Sequence, residues 1–210
     1  MQKLTKSQEP NSLTLWKRQN PNKRYKQLGN DNTVRKDIRQ QSLDEQYYLC
    51  GYCCQALKGI ENCHNEHVEA QDINPNRTLD YSNIIASCNT NKQCGDAHKS
   101  QLLPLTPFMD ESETELRFKL SGRVEGLSDN AIEAIRILNL GDTEQHNKSL
   151  IEKRKQLVHS LLFISGIDPD EGIEDNELIE MVIAEISRPI NGKLEAFAPV
   201  TVNVLKQWIE

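Results

Sequence analysis

All six cysteines of this 210-residue chain lie between Cys50 and Cys94, under a quarter of its length. Two pairs stand out: Cys50-Gly-Tyr-Cys53, and Cys88-Asn-Thr-Asn-Lys-Gln-Cys94 about 35 residues later. A C-x2-C knuckle presents two thiolates to one tetrahedral ion, and a second pair downstream completes a closed four-sulfur site of the kind that holds structural Zn²⁺. Cysteines clustered this tightly, in a chain expected to be cytoplasmic, point to metal ligation and away from disulfides. The second pair has five intervening residues where two to four are usual, which leaves Cys54 and Cys63 as alternatives for one of the four places. Between the pairs come Cys63-His-Asn-Glu66-His67, then Asn83, and just past Cys94 comes His98. A lone histidine in such a loop is ordinarily a surface or structural residue; the order His67, Asn83, His98 around the framing cysteines gives these three weight.

That order spells the HNH signature. The run Glu45-Gln-Tyr-Tyr-Leu-Cys-Gly-Tyr-Cys53, followed by Asn65-Glu-His67, Leu79-Asp-Tyr-Ser-Asn83-Ile-Ile-Ala-Ser-Cys88 and Cys94-Gly with Lys99 beyond, resembles the HNH nucleases of Septu and retron antiphage systems, the PtuB type. The layout agrees over most of the chain, and residues 45–99 carry the diagnostic positions. The resemblance implies an α+β fold: a small zinc-stapled ββα-metal module, treble-clef-like, followed by a mostly α-helical C-terminal region. It implies a metal-dependent endonuclease that cleaves phosphodiester bonds of phage or plasmid DNA, with RNA an open alternative. Its partners would be an ATPase subunit of the PtuA type and, in retron systems, a reverse transcriptase with its RNA–DNA.

On the same resemblance, His67 is the general base that takes a proton from the attacking water, a task that suits an imidazole near neutral pKa. Glu66 and His98 hold a catalytic Mg²⁺ or Mn²⁺ on the scissile phosphate. Asn83 fixes the loop and the orientation of the imidazole. One position departs from the pattern: the residue directly after the last knuckle cysteine, often an Asn ligand in HNH proteins, is Gly95. His98, four residues beyond Cys94, is the natural second ligand, with Asp96, Asn89 and Asn91 as competitors. Lys99 reads equally as a phosphate contact or a solvated side chain. The rival to the enzyme is a non-catalytic zinc-finger subunit that binds nucleic acid or protein.

The elements that must position these groups are legible in part. Residues 1–60 hold 11 Lys+Arg against 5 Asp+Glu, residues 61–109 hold 3 against 6, and residues 110–210 hold 11 against 20, giving nets of +6, −3 and −9. A basic front beside an acidic back suits a protein that meets phosphates with one end and a protein surface with the other. With the resemblance, the expected organisation is a basic N-terminal arm and helix (1–45), a cysteine-framed nuclease module (46–109), and a partner-binding helical region with a β-hairpin (110–210). Residues 1–30 read as an extended arm, and 31–49 as one amphipathic helix running into Cys50. Alternation around Ser121-Gly122 predicts the hairpin at 115–125. Helices are expected at 130–140, 148–164, 175–187 and 200–209, the first capped by Ser128 or Asp129 and stopped by Gly141. No apolar run approaches membrane-spanning length, and a cytoplasmic location without membrane partners is expected.

Overall fold

The computed structural model describes residues 1–29, 33–143 and 145–209. Its first helix, α1 (Asn11–Gln19), lies inside the stretch expected to be an extended arm. Leu13 and Trp16 stand one turn apart and pack with Tyr25, Leu28, Val34, Ile38, Tyr81 and Ile84 in a small satellite core. Three apolar residues in nine, Leu13, Leu15 and Trp16, with Leu15 left exposed, make no periodic signal, and docking against that core, more than propensity, stabilises so short a helix. The next helix, α2 (Thr33–Glu45), buries Val34, Ile38, Ser42 and Leu43; Asp31, where the sequence pattern begins, lies outside the described residues. Past its end the buried Gln46 side chain donates from Nε2 to the carbonyls of Leu49 and Ala86, while its Oε1 accepts from Ala86 N. One amide thereby ties the helix terminus to the first cysteine knuckle and to the strand behind it.

Strand β1 (Cys63–His67) pairs antiparallel with β2 (Ile84–Cys88), matching Cys63 to Cys88, Glu66 to Ile85 and His67 to Ile84. Two short helices, α3 (Gly95–His98) and α4 (Glu111–Thr114), follow. The predicted hairpin is β3 (Leu116–Phe118) with β4 (Val124–Gly126). Its turn uses Gly122 at φ +81, where a Cβ would also collide with the Ile151 carbonyl. Helix α5 (Asp129–Leu138) starts as expected, with Ser128 Oγ accepting from Ala131 N, but Asn139 in the left-handed region ends it before Gly141 is reached. Asn147 and Asp175 cap α6 (Lys148–Ile164) and α7 (Asn176–Ile186), and α8 (Ala198–Ile209) closes the chain, starting two residues earlier than its pattern suggested.

A continuous hydrophobic cluster runs from Met1 and Leu4 through the buried cysteines to Val204 and Leu205. The acidic half is thus built onto the cysteine module: Cys94 N donates to Leu138 O, Leu194 N to Tyr47 O and Phe197 N to Cys54 O. At the junction sits Arg154, fully buried, donating to the carbonyls of Gly122 and Leu140 and lying over the rings of Phe118 and Phe197. Burial lowers its guanidinium to about 10. Replacing it with methionine leaves two buried carbonyls without donors, and the expected loss is about 2–4 kcal/mol of unfolding free energy by urea titration. An unchanged midpoint would mean that water replaces both bonds. Among the described residues, no helix is long and apolar enough to cross a membrane.

Candidate metal centre

Four of the six cysteines converge. The Sγ atoms of Cys50, Cys53, Cys88 and Cys94 all lie within 4.8 Å of one another, and all four residues are buried. Among the described residues they form the one group of three or more possible ligands with that mutual spacing. The knuckle turns tightly, with Cys54 N donating to Cys50 O, and Gly51 N reaches across to Ala86 O of β2. Cys88 ends β2, and the five-residue loop after it brings Cys94 back at φ +53 to open α3. Donors surround the sulfurs: Cys88 N lies 3.4 Å from Cys50 Sγ, and Gln93 Nε2 lies 3.5 Å from Cys53 Sγ and 3.7 Å from Cys88 Sγ. N–H groups aimed at sulfur favour thiolates. Hydrogen bonds from its three neighbours push Cys88 far down, whereas burial pushes Cys53 and Cys94 up. Four sulfurs this close and this dry suit a divalent cation, and the donor set could hold structural Zn²⁺. Cys54 and Cys63 stay outside the group; Cys63 Sγ donates to Gly59 O at 3.5 Å, and burial raises its thiol to about 11.

Beside the sulfurs lies a second polar cluster. Residues i and i+2 of a strand share a face, so β1 sends His64 and Glu66 the same way, toward α3. His98, fully buried, places Nδ1 2.8 Å from Glu66 Oε1 and donates from Nε2 to the Gln101 carbonyl at 2.8 Å. His64 Nε2 lies 3.4 Å from Glu66 Oε2, with Nδ1 2.9 Å from Asn89 Oδ1. Burial alone would raise the Glu66 carboxyl, but the hydrogen bonds from His64 and His98 outweigh it and hold the group below its ordinary range. For His64 the downward push of burial loses to Glu66 and Asn89, so its imidazole sits above its ordinary value. Tyr52 stands 3.5 Å from Glu66 through its hydroxyl, and burial keeps that phenol protonated.

His67 faces elsewhere. Its Nε2 donates to the Thr78 carbonyl at 2.9 Å, and its ring stands edge-on to Tyr25 at 4.7 Å. That bond commits the ring proton to Nε2 and leaves Nδ1 as the basic nitrogen. Burial lowers the imidazole's pKa, only partly offset by the Thr78 carbonyl and Glu66. Asn83 latches the loop that carries Thr78: its Nδ2 donates to Glu69 O at 3.0 Å and its Oδ1 accepts from Glu69 N at 2.8 Å. Arg77 reinforces the loop through Glu69 and Asp80.

Of the expected site residues, Glu66 and His98 meet directly, while His67 and Asn83 form a separate network one residue further along β1. Asp96 accepts from Lys92 N and shapes the loop before α3; Asn89 holds His64; Asn91 and Lys99 are exposed. Residue types and spacing did not single out His64, Thr78 or Tyr52. His64 alone left a signal, the two-residue spacing from Glu66 on one strand face. No protein-family model matches the chain, and comparison with curated proteins returns no match.

Proposed function

We propose that this chain is a metal-dependent HNH endonuclease that hydrolyses DNA phosphodiester bonds as the nuclease subunit of an antiphage complex with an ATPase. The observation that carries the reading is the adjacency, on one strand, of Glu66 paired with His98 at 2.8 Å and His67 held through Nε2 by a backbone carbonyl at 2.9 Å. Glu66 and His98 would hold a Mg²⁺ or Mn²⁺ ion, which supplies charge neutralisation at the phosphate and at the leaving 3′ oxygen. His67 Nδ1 accepts the proton of the attacking water, and Asn83, through the loop it latches, keeps the ring aimed. Exposed Lys23, Arg24 and Lys26 flank Tyr25, the residue in contact with His67, and supply a basic rim for the phosphate backbone.

One observation favours the non-catalytic zinc module instead: His67 is only 5% exposed, and a base must reach water. Nicking of supercoiled plasmid by the full chain, with Mn²⁺ and with chelator, separates the two. Mn²⁺-dependent nicks support the enzyme, and their absence both for the chain alone and with its ATPase rejects it. Because burial lowers His67, the acid limb of the nicking rate is expected to inflect below the ordinary imidazole value of about 6.5. Activity then survives mild acid and fails only as that lower pKa is crossed; an inflection above 6.5 would assign the base to another group. Changing Lys23, Arg24 and Lys26 together to glutamine is expected to flatten the log–log salt dependence of DNA binding by roughly 2–3 units, about one for each phosphate no longer neutralised.

For the ATPase, the surface at α6 and α7 is the proposed dock. Phe163, Ile164, Met181 and Ile190 are 56–83% exposed there, beside a groove lined by Leu157, Leu161 and Ile186. Because the core runs through both halves, surface changes such as Ile164→Asp with Met181→Asp test this better than truncation. Retention of the ATPase on that variant would refute the dock.

A further inference from the structure

We propose that His64 is a third ligand of the divalent cation assigned to Glu66 and His98, in space that Gly95 keeps open. The proposal rests on the cation-binding part of the reading above and not on the DNA substrate.

The outer partner of each ring fixes which nitrogen keeps its hydrogen when the ring is neutral. The Gln101 carbonyl can only accept, so His98 Nε2 carries hydrogen. Asn89 Oδ1 likewise accepts from His64 Nδ1. The inner nitrogens, His98 Nδ1 and His64 Nε2, both face oxygens of one carboxylate, at 2.8 and 3.4 Å, and the protons that bridge them to Glu66 are what a cation would displace. Lone pairs facing a carboxylate repel unless a proton or a cation lies between them. Two ligands each about 2.1 Å from an ion and at right angles stand about 3.0 Å apart, and the two separations bracket that value. Outer acceptors that fix the tautomer of an imidazole are the usual companions of a metal-binding histidine.

Gly95 supplies the space. A Cβ there would lie 2.5 Å from His64 Nε2 and 2.6 Å from Glu66 Oε2, so any side chain would occupy the point where those two atoms converge. Its φ is not in the left-handed region, so the backbone does not demand glycine and the neighbouring ligand atoms do. His98 is fully buried and Glu66 is 12% exposed, whereas His64 is 34% exposed, which leaves the His64 side open for water or a phosphate oxygen. The trio lacks the mutual 4.8 Å spacing of the cysteines, so an ion held by all three draws the imidazoles inward about Glu66. Two imidazoles and one carboxylate form a donor set of intermediate softness that favours a transition-metal ion such as Mn²⁺ over Mg²⁺.

The test is Mn²⁺ titration of the full zinc-loaded chain, followed by the electron paramagnetic resonance signal of free Mn²⁺. One Mn²⁺ per chain is expected in the parent, with Mg²⁺ a weak competitor. His64→Ala is expected to weaken binding by on the order of tenfold or more, with zinc stoichiometry and far-UV circular dichroism unchanged. Should that variant misfold, Asn89→Ala, at an exposed position that loses only the bond orienting His64, is expected to weaken binding severalfold. Parent-like Mn²⁺ affinity in the folded variant overturns the assignment of His64 while leaving plasmid nicking, and hence the enzyme reading, intact. A parent chain that binds no Mn²⁺ overturns the inference together with the cation site.

Discussion

Replacing His67 with alanine is expected to lower Mn²⁺-dependent plasmid nicking by about 10²–10⁴-fold, the range in which a positioned general base contributes. The size follows from the placement of this ring. Its Nε2 proton is committed to Thr78 O, and burial disfavours the imidazolium, which favours Nδ1 as a base. Alanine removes that base and leaves the Thr78 carbonyl without its donor, at a cost of about 1–3 kcal/mol. The four clustered cysteines and the Glu66–His98 pair are untouched by the change, so zinc content and Mn²⁺ affinity should hold. Added imidazole should restore part of the nicking through the vacated space beside Tyr25, which a purely structural role for His67 would not allow. Persistent nicking by the alanine variant would sink the assignment.

Loss of the four-sulfur site is expected to be more damaging still. Structural Zn²⁺ in small cysteine sites is worth roughly 10–16 kcal/mol of apparent binding free energy, comparable with the entire stability of an ordinary domain at about 5–15 kcal/mol. Here the four sulfurs join the knuckle at 50–53, the end of β2 and the start of α3. Cys53→Ala, or stripping with a strong chelator, should release zinc and collapse the β1–β2 pair. Hydrogen exchange at Ile84–Cys88, protected while that pair stands, should then become fast. Because the hydrophobic cluster passes through the cysteines, α5 and α8 should lose protection as well. A variant that kept a full equivalent of zinc and native exchange would mean that Cys54 or Cys63 can take the vacant place.

Whether a feature of this protein is legible in its sequence depends on the range over which that feature is decided. Local chemistry is sufficient for the helix starts at Ser128, Asn147 and Asp175, since a side-chain oxygen satisfying an N–H three residues on is a matter of spacing along the chain. The hairpin about Gly122 is of the same kind, whereas the spacing of the cysteines left Cys54 and Cys63 open and only the fold brings Cys50, Cys53, Cys88 and Cys94 together. By contrast, α1 has too few apolar residues to announce itself, and it exists because Leu13 and Trp16 find Ile38, Tyr81 and Ile84 across the fold. The tautomer of His67 is decided by the carbonyl of Thr78, eleven residues away, which no residue type could reveal because every residue carries a carbonyl. Glu66 meets His98 across 32 residues only because β1 pairs with β2 in one register and Cys94 turns the chain back at positive φ. The residue types alone named which groups can bind metal and carry protons. Which of them share a face, and which are held apart, was set by strand register, loop latching and burial, which exist only once the chain has closed on itself.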